Sequence, residues 1–320
     1  MDCSAINPHA ASIGLSNQVS GPPRTVHYQT QIKRKKMLNY QIIQHKENNK
    51  DWVLLLHGLG GSSTIWYKQI ADLSQSHNLL LPDFFGHGRT REVQPAYTFT
   101  GLVEEMTCLL DHLKIDRAHI MGISLGSIIA SFMAVYNPER VKSLILGGAT
   151  PGLDFRTRSL LNAGNALKYA VPYMWLYRFF AWIMMPRQGQ RQGRRIFVRE
   201  ARKLGGKEFR KWYALMMQFP MHMLQLESPT LLQVPKLLIS GSQDYLFLNQ
   251  VLDWAKRDPD AKLHIIENCG HVCNIQAPAE FNRVCLEFLS GSTGSLTINA
   301  DHARHDEENA SYVGLKQATG

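Results

Sequence analysis

Residues 121–126 read Met121-Gly122-Ile123-Ser124-Leu125-Gly126 and place a serine between two glycines. They follow the apolar, strand-like run Ala118-His119-Ile120-Met121 and lead into a helix-like run over residues 125–134. A G-x-S-x-G turn joining a strand to a helix holds its serine in a strained backbone conformation, with the hydroxyl projecting outward. Gly122 and Gly126 suit such a turn because a Cβ at either position would collide where helix and strand cross. The pattern alone also fits an ordinary glycine-containing turn, so the flanking sequence decides.

Upstream, Trp52-Val53-Leu54-Leu55-Leu56 is a continuous apolar run, as expected of a buried parallel strand. It opens into His57-Gly58-Leu59-Gly60-Gly61, after which Ser62 is expected to cap the next helix. A further strand, Asn78-Leu79-Leu80-Leu81-Pro82, runs into Asp83-Phe84-Phe85-Gly86-His87-Gly88-Arg89-Thr90. Late in the chain, Pro235-Lys236-Leu237-Leu238-Ile239-Ser240 opens into Gly241-Ser242-Gln243-Asp244. The run Ala261-Lys262-Leu263-His264-Ile265-Ile266 is followed by Glu267-Asn268-Cys269-Gly270-His271-Val272. A serine, an acid and a histidine thus follow strand ends in that order. A serine hydroxyl is a poor nucleophile until a base takes its proton, which an imidazole does near neutral pH. The imidazole in turn needs a carboxylate to fix its tautomer and balance its charge.

These turns, in this order, resemble those of the α/β-hydrolases over about residues 24–290. The resemblance implies a mostly parallel central sheet with helices on both faces and a helical cap inserted after the sixth strand. It implies Ser124 as nucleophile, His271 as base and Asp244 as its partner, with the backbone N–H groups of Leu59 and Leu125 forming an oxyanion hole. Asp154, after the strand-like residues 141–146, sits where some relatives carry their acid, and Asp244 is the preferred assignment. The segment from Asp83 to Thr90 is similar to the family's D-x-x-G-H-G-x-S turn, with Thr90 in place of serine. Asp83 and His87 are read there as structural groups that hold the turn through backbone hydrogen bonds. Haloalkane dehalogenases and epoxide hydrolases carry a carboxylate at the elbow, so Ser124 argues against both. Esterases, lipases, thioesterases, carbon–carbon bond hydrolases and cofactor-free haloperoxidases share the remaining pattern, and fold does not choose among them. Ile123 departs from the polar or aromatic residue common there and makes the floor beside the serine more apolar, while Ser127 replaces a frequent glycine.

The chain has 320 residues, enough for one α/β domain of about 250 residues plus an insertion. The expected division is a tail at 1–23, a core at 24–150 and 229–290, a helical cap at 151–228, and a second tail at 291–320. The N-terminal residues lack the basic start and apolar stretch of a signal peptide, and no run of eighteen or more uncharged apolar residues suggests a spanning helix. Five cysteines without framework spacing suit a reducing cytoplasm, and they are read as packing residues. Cys269, His271 and Cys273 could suggest a metal, but that would consume the proposed base, so none is expected. No phosphate-binding or zinc-protease motif is present, and no cofactor is expected.

Between 151 and 228 the strand–helix rhythm breaks. The first half is greasy, with Pro172 expected to start a helix and Pro186 to stop it. Its apolar residues either pack on the core or line an acyl pocket. Substrate contacts are expected from Tyr173 and Trp175 there, and from Ile123 and Val272 beside the serine and histidine. The second half is basic: the segment carries fourteen Lys or Arg against four Asp or Glu, a net of +10 in a chain of +9. That excess suits a solvated helix face, an anionic substrate or an anionic membrane surface, and no nucleic-acid motif accompanies it. The expected activity is hydrolysis of a small-molecule carboxylic ester with an apolar acyl group through an acyl-serine. The alternatives are a thioesterase or carbon–carbon hydrolase with the same residues, or a non-catalytic ligand receptor.

Overall fold

Apolar runs without alternation become strands buried on both faces, as parallel sheets require. The computed structural model describes residues 37–47, 50–90, 94–258 and 260–291. Its strands are β1 (Tyr40–Ile43), β2 (Trp52–Leu56), β3 (Asn78–Pro82), β4 (Ala118–Ile123), β5 (Val141–Gly147), β6 (Lys236–Gly241) and β7 (Ala261–Ile266). They form one sheet in the order β1-β3-β2-β4-β5-β6-β7, with β1 antiparallel to β3 and every other pairing parallel. The helices are α1 (Ile70–Leu73), α2 (Phe99–His112), α3 (Leu125–Tyr136), α4 (Phe155–Leu167), α5 (Tyr173–Met184), α6 (Arg191–Ala201), α7 (Gly206–His222), α8 (Pro229–Leu232), α9 (Leu248–Arg257), α10 (Cys273–Gln276) and α11 (Pro278–Leu289).

Alternation along the strands divides the core into two layers. Val53 and Leu55 of β2, Met121 and Ile123 of β4 and Ile145 of β5 join Leu73 of α1 and Phe281 and Val284 of α11 in one cluster. The buried residues of α3 belong to the other layer. This helix packs on β2, β4 and β5 and is itself covered by α2 and α8. Residues 125–134 of α3 are all buried, so its apolar composition all round has a packing cause. The helices α4 to α7 lie between β5 and β6. Pro172 directly precedes α5, and Pro186 follows its last residue by two positions. Five strands precede this insertion among the described residues. The insertion thus follows the fifth described strand where the sixth was expected; the residues before Met37, and the two expected tails apart from Gly291, lie outside the described residues.

The chain runs from β2 outward to β3 and then returns to β4 on the other side of β2. At such a reversal the carboxyl ends of neighbouring strands leave a crevice, the usual ligand position in open α/β sheets. Both the loop 57–61 and Ser124 sit there. The crossing of α3 over β2 and β4 is close enough that a Cβ on Gly126 would lie 2.1 Å from the Leu56 carbonyl oxygen, and one on Gly122 would lie 2.2 Å from that of Gly126. Both contacts are with backbone, which cannot rotate away. Gly126→Ala is therefore expected to destabilise the fold by about 3 kcal/mol or more, read as a shift in the urea midpoint. An unchanged midpoint would show that the crossing is looser than described.

Candidate active site

Ser124 joins β4 to α3 with φ 54° and ψ −117°, a left-handed conformation that a residue with a side chain rarely adopts. Its amide donates to the Gly147 carbonyl of β5 at 3.1 Å, which ties the turn to the neighbouring strand. His271 follows β7, and its ring Nε2 lies 2.9 Å from Ser124 Oγ. Asp244 follows β6, and its Oδ2 lies 2.8 Å from His271 Nδ1. A carboxylate only accepts hydrogen bonds, so Nδ1 carries the proton and Nε2 is free to accept from the serine hydroxyl. Asp244 and His271 are fully buried, and Phe247 packs against the imidazole with ring centroids 5.2 Å apart. The three residues singled out from turns far apart in sequence thus meet in one hydrogen-bonded line. Asp154 is elsewhere engaged: its Oδ1 caps α4 by accepting from the Thr157 amide at 2.7 Å.

Leu59 and Leu125 line the same cavity as Ser124. Leu125 is the first residue of α3, so its N–H has no helical carbonyl to bond and the positive end of the helix lies at the serine. The Leu59–Gly60 peptide is clamped from both sides. Tyr177 of α5 donates from Oη to the Leu59 carbonyl at 2.6 Å, and the Gly60 amide donates to His87 Nε2 at 2.9 Å. Gly60 has φ +73°, and a Cβ there would lie 2.4 Å from Tyr177 Oη, so glycine is needed for both conformation and contact. Nothing local in the sequence marks Tyr177 for this role; its partner lies 118 residues away.

The turn from Asp83 to Thr90 is built as read from the sequence, and it reaches further. Asp83 accepts from the Arg89 amide at 2.8 Å, and Thr90 Oγ1 donates to the Asp83 carbonyl at 2.7 Å. The other Asp83 oxygen accepts from the Ser63 amide at 2.7 Å. The expected Ser62 cap does not form: Ser62 makes no side-chain capping bond to the short 3₁₀ turn Ser63–Trp66. Ser62 Oγ instead meets Thr64 Oγ1 at 2.7 Å and donates to Glu200 of α6 at 3.4 Å. A second histidine, His57, escaped the sequence reading. It accepts from the Phe84 amide at Nε2 (3.0 Å), while its Nδ1 donates to the Gly58 carbonyl at 2.8 Å.

A cavity of about 150 Å³ extends from Ser124 under α4, α5 and α7. Leu153, Leu160, Phe180, Met184, Phe209 and Met216 are among its walls. Its tyrosine hydroxyls are turned to backbone, Tyr177 to Leu59 and Tyr213 to the Leu161 carbonyl at 2.7 Å. The four expected substrate contacts fall outside this lining. Ile123 points by strand alternation into the α1–α11 layer. Tyr173 turns its hydroxyl to the Arg202 carbonyl at 3.3 Å. Trp175 is 69% exposed on the outer face of α5. Val272 is buried against Gly193 of α6. Among the described residues no group of three or more His, Cys, Asp or Glu is arranged for a metal ion. Burial also pushes the Cys269 thiol up to about 12 and Cys273 well above its ordinary value, which keeps both protonated.

The comparisons with known proteins agree on the family. A sequence model of the alpha/beta hydrolase fold matches residues 51–182. Over 255 residues the chain is 32% identical to a protein of Pseudomonas savastanoi pv. phaseolicola named "Putative carbamate hydrolase RutD", covering 75% of this chain and 94% of that one. The chain belongs to the α/β-hydrolase fold family. Solved structures share the architecture. A carboxylesterase of the thaumarchaeon Nitrososphaera gargenis matches with a TM-score of 0.67 at 20% identity, covering 80% of this chain and 95% of its own. The enol-lactonase from Burkholderia xenovorans LB400 matches with a TM-score of 0.66 at 21% identity, covering 79% and 96%.

In this hydrolase His57 and His87 both accept amide hydrogens at Nε2, which requires both rings to be neutral. Burial holds His57 below the ordinary histidine value and His87 well below it, and their ring centroids are 4.9 Å apart. In the unfolded chain each takes a proton near pH 6.5. Below that pH the unfolded state binds protons that the folded state refuses, so the stability present above about pH 6.5 is lost as the pH falls. Each histidine contributes a slope approaching about 1.4 kcal/mol per pH unit. Unfolding free energy from urea titrations is expected to fall as the pH drops from about 6.5 to about 5, a window above the main carboxylate range in which His77 and His119, also lowered by burial, add to the slope. A flat profile across that window would contradict the neutral-acceptor arrangement.

Proposed function

We propose that this hydrolase cleaves carboxylic esters with an apolar acyl group through an acyl-Ser124 intermediate. The observation that carries the reading is the hydrogen-bonded line Asp244–His271–Ser124 opening on the apolar cavity. Ser124 Oγ attacks the ester carbonyl as His271 Nε2 takes its proton, and the oxygen that gains charge faces the N–H groups of Leu59 and Leu125. As the tetrahedral intermediate collapses, His271 returns the proton to the leaving alcohol oxygen. Water then enters by the same route in reverse, with His271 again as base, and releases the acid. Asp244 holds the Nδ1–H tautomer and balances the imidazolium. General base action of this kind supplies about 10²–10⁴-fold, and each oxyanion donor about 10²–10³.

The cavity distinguishes acyl substrates. An apolar cavity of about 150 Å³ accommodates a benzene-sized group, which corresponds to an acyl chain of roughly six carbons. An unsubstituted carbamate, one form of the substrate class in the name of the curated relative, brings no such chain and would leave the walls formed by Leu160, Phe180 and Met216 without a role. A thioester presents the same acyl group to the same residues, and a receptor has no use for a serine held at φ 54° within hydrogen-bond distance of an imidazole.

With p-nitrophenyl esters of increasing acyl length, kcat/KM is expected to peak near six carbons, and Leu160→Trp should move the peak to shorter chains. Ser124→Ala should lower turnover by about 10⁴-fold or more and abolish labelling by a fluorophosphonate probe. Equal rates across acyl lengths would remove the acyl-pocket reading, and a wild-type protein that resists the probe would remove the nucleophile.

Tyr177 serves as a positioning residue in this scheme. Tyr177→Phe keeps the ring and loses only the bond to Leu59, so kcat should fall about tenfold with KM and the pH profile nearly unchanged. A change confined to KM would place Tyr177 in substrate binding instead.

A further inference from the structure

The two faces of α5 are both apolar, and only one of them is buried. Tyr177, Ala181 and Met184 face inward and are buried. Trp175, Phe179 and Trp182 recur at i, i+4 and i+7 on the opposite side, 69%, 55% and 55% exposed. Arg178 lies within the same stripe. The neighbouring helix α6 packs beside α5 and turns Arg191, Arg195, Arg199 and Arg202 outward. Between the helices lies a cleft of about 380 Å³ bounded by Arg178, Arg194, Arg195, Arg199, Arg202 and Trp182.

The charge on this surface is of one sign. No carboxylate occurs in α5, and the single one in α6, Glu200, is buried and held by Lys203 and Arg199. Among the described residues, Arg178, Arg195 and Arg202 pair with no carboxylate. Exposed tryptophan and phenylalanine set among unpaired arginines match the two layers of a bilayer surface, with rings at the depth of the headgroups and guanidinium groups on phosphate oxygens. Phe179 also lines the cavity that reaches Ser124, so the exposed stripe is continuous with the substrate site.

We propose that the outer surface of α5 and α6 docks this hydrolase on an anionic phospholipid bilayer, beside which the cavity takes lipid-dissolved substrate. The docking stands on the stripe and the arginines; only its benefit to substrate uptake rests on the acyl-ester reading. A solvated basic face would not need three large aromatic side chains among its charges. Self-association through the stripe would bring like-charged arginine clusters together.

The test is cosedimentation of the full chain with vesicles of phosphatidylcholine alone and with phosphatidylserine added. Binding is expected only with phosphatidylserine, weakening as salt is raised. Each arginine near an anionic surface contributes about fivefold in partitioning, so the pair R195E and R202E together should lower it at least about tenfold. Trp182→Ser should weaken it independently of charge. Equal partitioning of the double variant and wild type, or no binding to either vesicle at low salt, would overturn the proposal. So would sedimentation velocity showing a dimer that Trp182→Ser dissolves, since the stripe would then be covered by a second copy. Hydrolysis of a short, water-soluble ester should be unchanged in these variants and reports their folding. If the double variant loses it, the tryptophan variant and the salt dependence decide. Absence of that hydrolysis in the wild type would count against the ester reading and leave the vesicle result standing.

Discussion

The backbone crossing of α3 over β2 and β4 constrains everything at the site. Because Gly122 and Gly126 carry no Cβ, the helix starts within van der Waals range of the strand carbonyls, and the one residue between them with a functional side chain is forced to φ 54°. Such a conformation costs about 1–3 kcal/mol. The helix that enforces it buries Ile128, Ile129, Phe132 and Met133 almost completely, and each such side chain contributes about 1.5–3 kcal/mol. Packing of α3 therefore exceeds the strain at Ser124 several times over. The hydroxyl is held at the mouth of the crevice because the helix has nowhere else to lie.

Around that fixed point, polar groups rather than apolar packing set the positions of the loops. His57 and His87 act as buried acceptors that join the loop after β2 to the turn after β3. Each bond is worth about 1 kcal/mol, but losing a partner in a buried site costs about 1–3 kcal/mol, so the arrangement is hard to loosen by halves. The Leu59–Gly60 peptide is held by Tyr177 on one side and His87 on the other, and the Gly58 carbonyl before it by His57 and the Gly61 amide. Glu200 adds a second link from the inserted helices to the same loop through Ser62.

How much of this could be read beforehand follows from the range of the interactions. Ser124, Asp244 and His271 were legible because each lies in a turn whose glycines and preceding apolar strand are adjacent in sequence. The role of Asp83 and His87 in their own turn was legible for the same reason. The Ser62 cap was not, because one of the groups that engages its hydroxyl, the Glu200 carboxylate, arrives from 138 residues away. The substrate contacts were misplaced for a different reason. In Tyr173–Met184 the apolar residues occur on both helix faces, so periodicity offers two stripes and does not say which one faces Ser124. Ile123 was recoverable: with a period of two, it shares a face with Met121 and therefore points to the layer of α1 and α11.

The double-sided character of α5 gives the inserted segment a structural part in the site beyond covering it. Its inner face supplies Phe180 and Met184 to the cavity and Tyr177 to the Leu59 carbonyl, while its outer face carries Trp175, Phe179 and Trp182. A helix moves as a unit over this length, so α5 cannot lift from the sheet without breaking the Tyr177 bond and releasing one side of the Leu59–Gly60 peptide. The serine, histidine and aspartate would survive such a movement, since Asp244 and His271 are held by the loops after β6 and β7 and the serine by α3. The two halves of the site thus differ in what they depend on: the hydrogen-bonded line Asp244–His271–Ser124 belongs to the sheet and its loops, and the hold on the Leu59 carbonyl belongs to the inserted helices.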